Sequence, residues 1–484
     1  MQARAKALNL RMSRPVTHGS EAQPTFIRAI THRGYWVLHL ALSDAGRAAY
    51  YGNSIEDPYR CGVCLPVRCD VTLGAWIKFL SDGGNTILYA AAKRYEHIIR
   101  ERFGLSTYAY QWRHDETIVK NARTIAMAHS KPAPSAFPNL TVHSSILEDY
   151  FSPRHLKTFS HTIEQLVRSK SATLPPYISN EGLLTGALVH VVRNSDTYPF
   201  LEMDESYALT VNQNGIYIYA NETWGALRAL ETLSQLFWTT HFDGSVFINC
   251  TTIFDKPRFQ YRGLLIDTAR HFISKNILLR NLDAMSYSKL NVFHWHFYDD
   301  QAFSIRFPNN PELAEKGAYR GQFYTTDDVA EIIEYARLRG IRVVPEMDLP
   351  DHTMSISKSH PEAFTKCQMG GNWDGYFGPM DPTMNATYAL IDSLLKDVMS
   401  LFPDLTVHLG GDEVDITCWL EQNWSTFQRQ HNISSSIEIL TFFYARVRRS
   451  LHPKKHAQYW QEVVDEEASI PPNSIVQVHL HFSN

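Results

Sequence analysis

The sequence predicts an α/β protein in which a TIM-type (β/α)8 barrel follows a smaller mixed α/β domain. Two observations indicate the barrel. Beyond residue 257, apolar strand-like segments alternate with amphipathic helical segments, a pattern typical of a parallel sheet. Polar or aromatic residues also follow most of these strands, whereas a doubly wound sheet would gather them at one crevice. These residues are Asp267, His296, Asp348, Glu413 and Trp460.

The chain before residue 257 divides into two regions. Residues 1–80 have weak periodicity and are predicted as an N-terminal extension without assigned elements. Residues 81–256 are predicted as the small α/β domain, with Pro257 at its boundary. Hydrophobic spacing predicts helices over 87–103 and 224–238 and strands over 186–192, 207–211 and 215–219.

Residues 257–484 are predicted as the barrel domain, in which the last two strand–helix units of a complete barrel are not found. A parallel sheet with open edges and an incomplete core is expected to be poorly stable and weakly active. The six predicted strands cover 262–268, 290–297, 341–348, 405–413, 457–463 and 474–480, and the predicted helices cover 277–289, 327–339, 388–402 and 435–451.

Composition and charge exclude some classes of function. A net charge of −4 over 484 residues gives no reason to expect a nucleic-acid partner. No run of 18 apolar residues predicts a membrane span, and no apolar core of a signal peptide is visible. Six Asn-X-Ser/Thr sequons nevertheless exceed chance expectation and predict a glycoprotein of the secretory route, with coincidence as the alternative. They begin at Asn139, Asn221, Asn249, Asn385, Asn423 and Asn432.

Three of the six cysteines form a C-x2-C-x4-C cluster at Cys61, Cys64 and Cys69. A structural zinc site needs four ligands, and no second CxxC follows this cluster. We therefore predict neither a metal nor another cofactor.

The most informative motif runs from His408 to Val414, with the sequence HLGGDEV. An apolar strand leads into two glycines, which let the backbone bend so that the side chains of Asp412 and Glu413 reach one pocket. Two carboxyl groups in one pocket have pKa values that are driven apart, which gives the proton donor and the anion needed to break a glycosidic bond. Taken alone, such a pair is more often a solvated surface feature.

Four stretches in order give this motif its context: RGLLIDTARH at 262–271, KLNVFHWH at 289–296, YARLRGIRV at 335–343 and HLGGDE at 408–413. With them, the chain from about 86 to 478 resembles the β-N-acetylhexosaminidases of glycoside hydrolase family 20, especially the lysosomal animal enzymes. The resemblance implies substrate-assisted catalysis, in which the sugar's own 2-acetamido oxygen is the nucleophile. It implies that Glu413 is the general acid and base and that Asp412 orients the acetamido group.

The resemblance also assigns residues around this pair. It implies that Arg270 grips the outer sugar hydroxyls, that Asp299, His352 and Trp460 line the substrate pocket, and that Asp348, with His352, orients Glu413. His296 and His408 are expected to support the pocket, although a buried core histidine is the plainer interpretation of His296. The alternatives to these binding roles are structural ones, namely a salt bridge for Arg270 and a core position for Trp460. The resemblance further implies a disulfide between Cys367 and Cys418.

Two departures from the family pattern bear on function. Asp351 stands where the family normally has glycine, so backbone strain is expected if that position has a positive φ. The added acid is also expected to raise the pKa of the neighbouring His352. After Val478 the resemblance ends, and with it go later pocket residues.

The leading hypothesis is an exo-acting β-N-acetylhexosaminidase acting on glycans or glycoconjugates that end in N-acetylhexosamine, lysosomal or secreted, with a homodimer as the expected oligomer. An inactive pseudoenzyme that retains sugar or partner binding is the alternative. A barrel hydrolase with ordinary two-carboxylate chemistry is a third interpretation, which the four matching stretches disfavour.

Overall fold

The structure is a computed structural model that describes residues 67–69, 77–79, 85–102, 184, 186–213, 215–239, 245–369, 372–420, 422 and 424–478. Almost all of the predicted N-terminal extension, including Cys61 and Cys64, lies outside these residues, as do Asn139 and Asn423.

The first part of the described chain contains two sheets. Its five-stranded sheet has the order β2-β3-β5-β4-β8, and a three-stranded antiparallel sheet has the order β1-β7-β6. Two helices, Thr86–Arg102 and Thr223–Leu236, pack together on the larger sheet and share its apolar core. The strands are β1 (Val67–Cys69), β2 (Ile77–Phe79), β3 (Ala187–Arg193), β4 (Tyr207–Asn212), β5 (Gly215–Glu222), β6 (Phe237–Thr239), β7 (Val246–Ile248) and β8 (Thr251–Asp255).

The second part is built around six parallel strands in the order β9-β10-β11-β14-β15-β16. Helices cover this sheet, and a large apolar cluster fills the space between them. The strands are β9 (Gly263–Asp267), β10 (Val292–His296), β11 (Arg342–Glu346), β14 (Thr406–His408), β15 (His456–Trp460) and β16 (Ile475–Gln477), with a hairpin of β12 (Phe364–Met369) and β13 (Asn372–Met380) inserted after β11. The helices are Lys275–Tyr287, Pro311–Gly317, Thr326–Arg337, Met354–Ser357, Asn385–Leu401, Ile416–Leu420, Ser425–His431, Ser436–Ser450 and Glu462–Asp465, with one 3-10 turn at Pro361–Ala363.

Local sequence accounts for several of these boundaries. The helices Thr326–Arg337 and Ser436–Ser450 both begin with a capping box, formed by Thr325 with Asp328 and by Ser435 with Glu438. β14 ends at His408 rather than continuing to Glu413 as predicted. The reason is the backbone that follows, because Gly410 and Gly411 have φ values of 65° and 103°, outside the range of a strand.

The two parts meet through a buried ionic cluster centred on Glu205. Its Oε1 accepts from Arg228 Nε and Arg262 Nη2, both at 2.7 Å, and its Oε2 accepts from Asn291 Nδ2 at 3.1 Å. Arg228 also donates to the carbonyl oxygen of Gly340, at 2.9 Å. Although burial opposes ionisation, the two arginines lower the pKa of Glu205, so this carboxylate stays charged at the junction.

The sheet elements and helices that the sequence predicts are found within a few residues of their predicted ends. The β12–β13 hairpin and the short helix Pro311–Gly317 were not predicted. Within the described residues, no helix is long and apolar enough to cross a membrane.

Candidate active site

The C-terminal ends of the parallel strands bring polar side chains to one level of the sheet. Asp267 is in register with His296, His296 with Glu346, and Glu346 with His408. Because adjacent parallel strands place partners in register on the same face, these four residues form one row across four strands. Of the predicted strand-end residues, Asp267 and His296 lie in this row.

Glu346 is the buried anion at the centre of this row. Its Oε2 lies 2.9 Å from His294 Nε2 and 2.8 Å from His296 Nδ1, and its Oε1 accepts from Trp460 Nε1 at 2.7 Å. Burial opposes its charge, but the neighbouring His296, His294 and His408 hold its pKa well below the usual range. Sequence reasoning missed Glu346, although an acid in the apolar strand RVVPE beside a His-X-His strand is a signal for a buried charge cluster.

Asp299 links this buried row to the surface of the site. Its Oδ2 lies 2.8 Å from His296 Nε2 and 2.7 Å from Arg270 Nη2, and its Oδ1 lies 3.4 Å from His352 Nδ1. Asp299 is completely buried, and burial alone would raise its pKa. His296, His352 and Arg270 nevertheless lower this pKa strongly. Asp299 is thus a fixed anion that holds three cationic groups.

Arg270 follows β9 and remains accessible, with 42% of its side chain exposed. Asp267 and Asp299 bind its guanidinium at 2.9 and 2.7 Å, and they raise its pKa although burial alone would lower it. The two carboxylates therefore fix the orientation of the guanidinium group, while part of the side chain remains exposed to solvent. Such a fixed planar fork suits recognition of two neighbouring hydroxyl groups.

His352 lies between Asp299 and the acidic pair. Its Nε2 is 3.8 Å from Asp412 Oδ2 and 3.6 Å from Glu413 Oε2. Burial alone would lower its pKa, but Asp299, Asp348 and Asp412 raise it to about 11. His352 is thus a cation in contact with both acids at neutral pH.

The strain considered for Asp351 is not found, because the residue with positive φ is His352, at 55°. Although burial opposes it, the pKa of His352 is raised as expected, and the largest contributions come from Asp299, Asp348 and Asp412. The side chain of Asp351 instead accepts the backbone N–H of Asp415 from the loop that carries the acidic pair, at 2.9 Å.

The loop after β14 places the acidic pair. Gly410 packs so closely on Asp348 that a Cβ atom there would lie 1.8 Å from Asp348 Oδ1. Asp348 Oδ1 accepts from Gly411 N at 3.0 Å, and Glu462, which sequence reasoning missed, accepts from Glu413 N at 2.6 Å. The φ of 51° at Glu413 turns its side chain outward, with 77% exposed.

Asp348 and Asp412 share the pocket under this loop with His352. Burial, followed by the charge of Asp412, raises the pKa of Asp348 well above its usual range. Burial also raises the pKa of Asp412, while the cation of His352 works in the opposite direction. The raised pKa values of both acids favour a proton held within this pair, beside the cation of His352.

Trp460 and His408 pack against each other at the ends of two adjacent strands, β15 and β14. Trp460 is buried at the end of β15, and its ring lies 4.8 Å from that of His408 and 5.7 Å from that of His294. The Nδ1 of His408 accepts from Gly410 N at 3.0 Å, which ties the end of β14 to the glycine turn. One atom each of His294, Glu346 and His408 lies within 4.8 Å of the others, but Glu346 is engaged by His296 and Trp460 and we assign no metal to this cluster.

The disulfide between Cys367 and Cys418 is present, with a Cα–Cα distance of 5.0 Å. It joins β12 to the helix Ile416–Leu420, which directly follows the acidic loop. Gly378 faces this disulfide, and a Cβ there would lie 2.4 Å from one sulfur atom. Of the described sequon asparagines, Asn249, Asn385 and Asn432 are exposed, whereas Asn221 is half-buried and donates to Asp204 Oδ2 at 3.0 Å.

A parallel β/α sheet with adjacent acids after one strand, beside an anchored arginine, is the architecture of a barrel-type glycosidase site. The sequence matches two family descriptions, "Glycosyl hydrolase family 20, catalytic domain" over residues 259–483 and "beta-acetyl hexosaminidase like" over residues 39–236. Residues 259–483 therefore belong to the catalytic domain of glycosyl hydrolase family 20.

Curated relatives and solved structures agree with this assignment. The chain is 42% identical to the mouse protein "Beta-hexosaminidase subunit beta" over 312 residues, which are 63% of this chain and 58% of the relative. It is 44% identical to the human protein of the same name over 288 residues, 58% of this chain and 51% of the relative. The chain thus spans little more than half the length of the curated relatives it matches.

Among solved structures, a chitobiase from Flavobacterium johnsoniae aligns with a TM-score of 0.61 and 26% identity, covering 85% of this chain and 52% of that one. An exo β-N-acetylglucosaminidase from Vibrio harveyi, solved in complex with N-acetylglucosamine, aligns with a TM-score of 0.52 and 25% identity, covering 68% of this chain and 53% of that one.

Proposed function

We propose that this chain is an exo-acting β-N-acetylhexosaminidase that removes terminal N-acetylhexosamine from the non-reducing ends of glycans or glycoconjugates. The observation that carries the proposal is the contact of the cationic His352 with both Asp412 and Glu413, next to an arginine that Asp267 and Asp299 hold in place. Family membership and the names of the relatives support the same substrate class.

The proposed reaction gives Asp412 and Glu413 separate roles. Glu413 is exposed toward solvent and donates a proton to the glycosidic oxygen as the bond to C1 breaks. The acetamido carbonyl oxygen of the sugar forms the new bond to C1 and gives an oxazoline-type intermediate. Asp412, proposed as the anionic member of the pair with Asp348, accepts a hydrogen bond from the acetamido N–H and stabilises the positive charge that develops there.

Water then attacks C1 on the face that the leaving group occupied, and Glu413, now a carboxylate, takes a proton from this water. The two inversions give net retention of configuration. Arg270 is proposed to bind the outer hydroxyls of the same sugar ring, which would make the enzyme exo-acting. Trp460 is proposed as one wall of the acetamide pocket.

Hydrolysis of an aryl N-acetyl-β-glucosaminide tests this proposal. The purified chain is expected to release the phenol, and Glu413→Gln is expected to lower kcat by about 10²- to 10⁴-fold, the usual contribution of a general acid. Exposed Glu315→Gln, in the helix Pro311–Gly317, is the matched control and is expected to leave kcat unchanged. An unchanged kcat in Glu413→Gln would exclude Glu413 as the proton donor. Binding of N-acetylglucosamine without any turnover would favour the pseudoenzyme alternative.

We also propose that the chain is a lysosomal or secreted glycoprotein and forms a homodimer. The disulfide and the exposed sequon residues Asn249, Asn385 and Asn432 support the secretory route. An endoglycosidase-sensitive mobility shift of protein expressed in animal cells tests glycosylation, and its absence would contradict this route. Analytical ultracentrifugation tests the dimer, which a purely monomeric profile would exclude.

A further inference from the structure

Three carboxyl groups hold the loop that carries Asp412 and Glu413 through alternate backbone amides. Gly411 N donates to Asp348, Glu413 N to Glu462 and Asp415 N to Asp351, at 3.0, 2.6 and 2.9 Å. The acceptors come from two different connections, those after β11 and β15. Tertiary contacts therefore fix every second amide from residue 411 to residue 415.

Asp351 differs from the other two acceptors because it serves both loops of the site. Its Oδ1 accepts from His352 N at 2.9 Å, while its Oδ2 accepts from Asp415 N, 64 residues away in the chain. The carboxylate of Asp351 thus joins the backbone of His352 to the backbone of the loop that carries Asp412 and Glu413. Glycine, the residue usual at this position in the family pattern described above, has no side chain with which to make either contact.

The position of Glu413 depends on this kind of backbone anchoring. Its side chain is 77% exposed, so packing does not fix it, and its φ of 51° is one that a non-glycine residue adopts only when its surroundings impose it. The amides of Glu413 and Asp415 flank Val414, which is buried. Release of the anchor at Asp415 would let this short segment relax next to the proton donor.

We propose that Asp351 is a positioning residue of this chain, a carboxylate latch that fixes the Asp412–Glu413 loop to the His352 backbone. Its effect on turnover rests on the proposed function, whereas its effect on the loop does not. Because small misplacements of a reacting group are costly, loss of the latch is expected to lower kcat by about 10-fold. KM is expected to change by less than about 2-fold, because the groups proposed to bind the sugar, such as Arg270, are held by other residues.

The experiment compares Asp351→Ala, Asp351→Asn and the control Glu362→Ala, which removes an exposed carboxylate from the same β11–β12 connection. Hydrogen exchange followed by mass spectrometry reports on peptides that span residues 410–416, and kinetics report kcat and KM separately. For Asp351→Ala we expect faster exchange in these peptides and the fall in kcat. Asp351→Asn keeps one acceptor oxygen and is expected to lie between wild type and Ala, while Glu362→Ala matches wild type.

Two outcomes would overturn the latch. One is unchanged exchange at residues 410–416 in Asp351→Ala, and the other is a fall in kcat of the same size in the control Glu362→Ala. The exchange measurement needs no turnover. A wild-type chain without activity, combined with faster exchange in Asp351→Ala, would therefore sustain the latch and contradict the proposed function.

Discussion

At the scale of single residues, the site is a chain of alternating charges that runs from the barrel interior to its mouth. Glu346, His296 and Asp299 follow one another at 2.8 Å, and Asp299 then contacts both Arg270 and His352. Each buried charge has a partner of opposite sign, which is the condition under which such groups are tolerated in a protein interior. The outermost groups, Arg270 and Glu413, are the exposed ones.

Because the pKa of His352 is raised, the stability of the fold is expected to decrease at alkaline pH. A histidine whose folded pKa is about 11, against an ordinary value of about 6.5, stabilises the fold fully below about pH 6.5. This contribution is lost as pH rises through the folded pKa, so Tm is expected to fall steadily between about pH 6.5 and 11. Thermal unfolding in that window measures the effect, and His352→Gln is expected to flatten the profile. An equally steep profile in His352→Gln would contradict this account.

At the scale of elements, the most constrained piece is the turn that follows β14. Gly410 and Gly411 both have positive φ, and each packs against a neighbour too closely for a side chain, Gly410 against Asp348 and Gly411 against Val463. The two glycines therefore bend the chain, and Gly410 also allows the loop to pack directly on the buried side chain of Asp348.

Gly410→Ala is expected to disturb this turn more than Gly321→Ala does. Both glycines have positive φ, but a Cβ at Gly410 meets Asp348 at 1.8 Å, whereas a Cβ at Gly321 meets nothing within 4 Å. Backbone strain of about 1 kcal/mol or more is common to both variants, and the clash adds to it only at Gly410. Urea unfolding of the two variants compares them, and similar losses of unfolding free energy would contradict the close packing.

Sequence patterns predict the elements that depend on local periodicity and miss those that depend on distant partners. The strands ending at Asp267, His296 and Trp460 were predicted because apolar runs alternate with helical segments. The β12–β13 hairpin is an exception, because its pairing is local but its register shifts between Phe364 and Lys366 and between Lys366 and Gln368. The contacts of Glu346 and Asp351 were missed because they join strand ends and loops that only the folded sheet brings together.

At the scale of the whole molecule, the buried Glu205 cluster joins the two parts of the described chain. Arg228 lies on a helix of the first part, whereas Arg262 and Asn291 lie at the start of β9 and β10 of the second. Because all four side chains are buried, the cluster couples the stability of one part to that of the other.

Glu205→Gln is therefore expected to destabilise the whole protein. Leaving two buried arginines without their counter-charge costs about 3–5 kcal/mol. The control is Glu202→Gln, three residues earlier and exposed, which is expected to change the unfolding free energy by no more than about 0.5 kcal/mol. Urea unfolding followed by tryptophan fluorescence measures both, and equal stability of the two variants would contradict a coupling role for Glu205.

The proposed mechanism makes the acetamido oxygen of the substrate the nucleophile, with Asp412 orienting the acetamido group and Glu413 transferring the proton. It is tested most directly by kcat/KM for aryl β-glucosaminides whose N-acyl group carries zero, one, two or three fluorine atoms. Fluorine withdraws electrons from the acyl oxygen, so kcat/KM is expected to fall steeply with each added atom if this oxygen forms the bond to C1. A value of kcat/KM that stays level across the four substrates would exclude the acyl oxygen as the nucleophile and contradict the proposed mechanism.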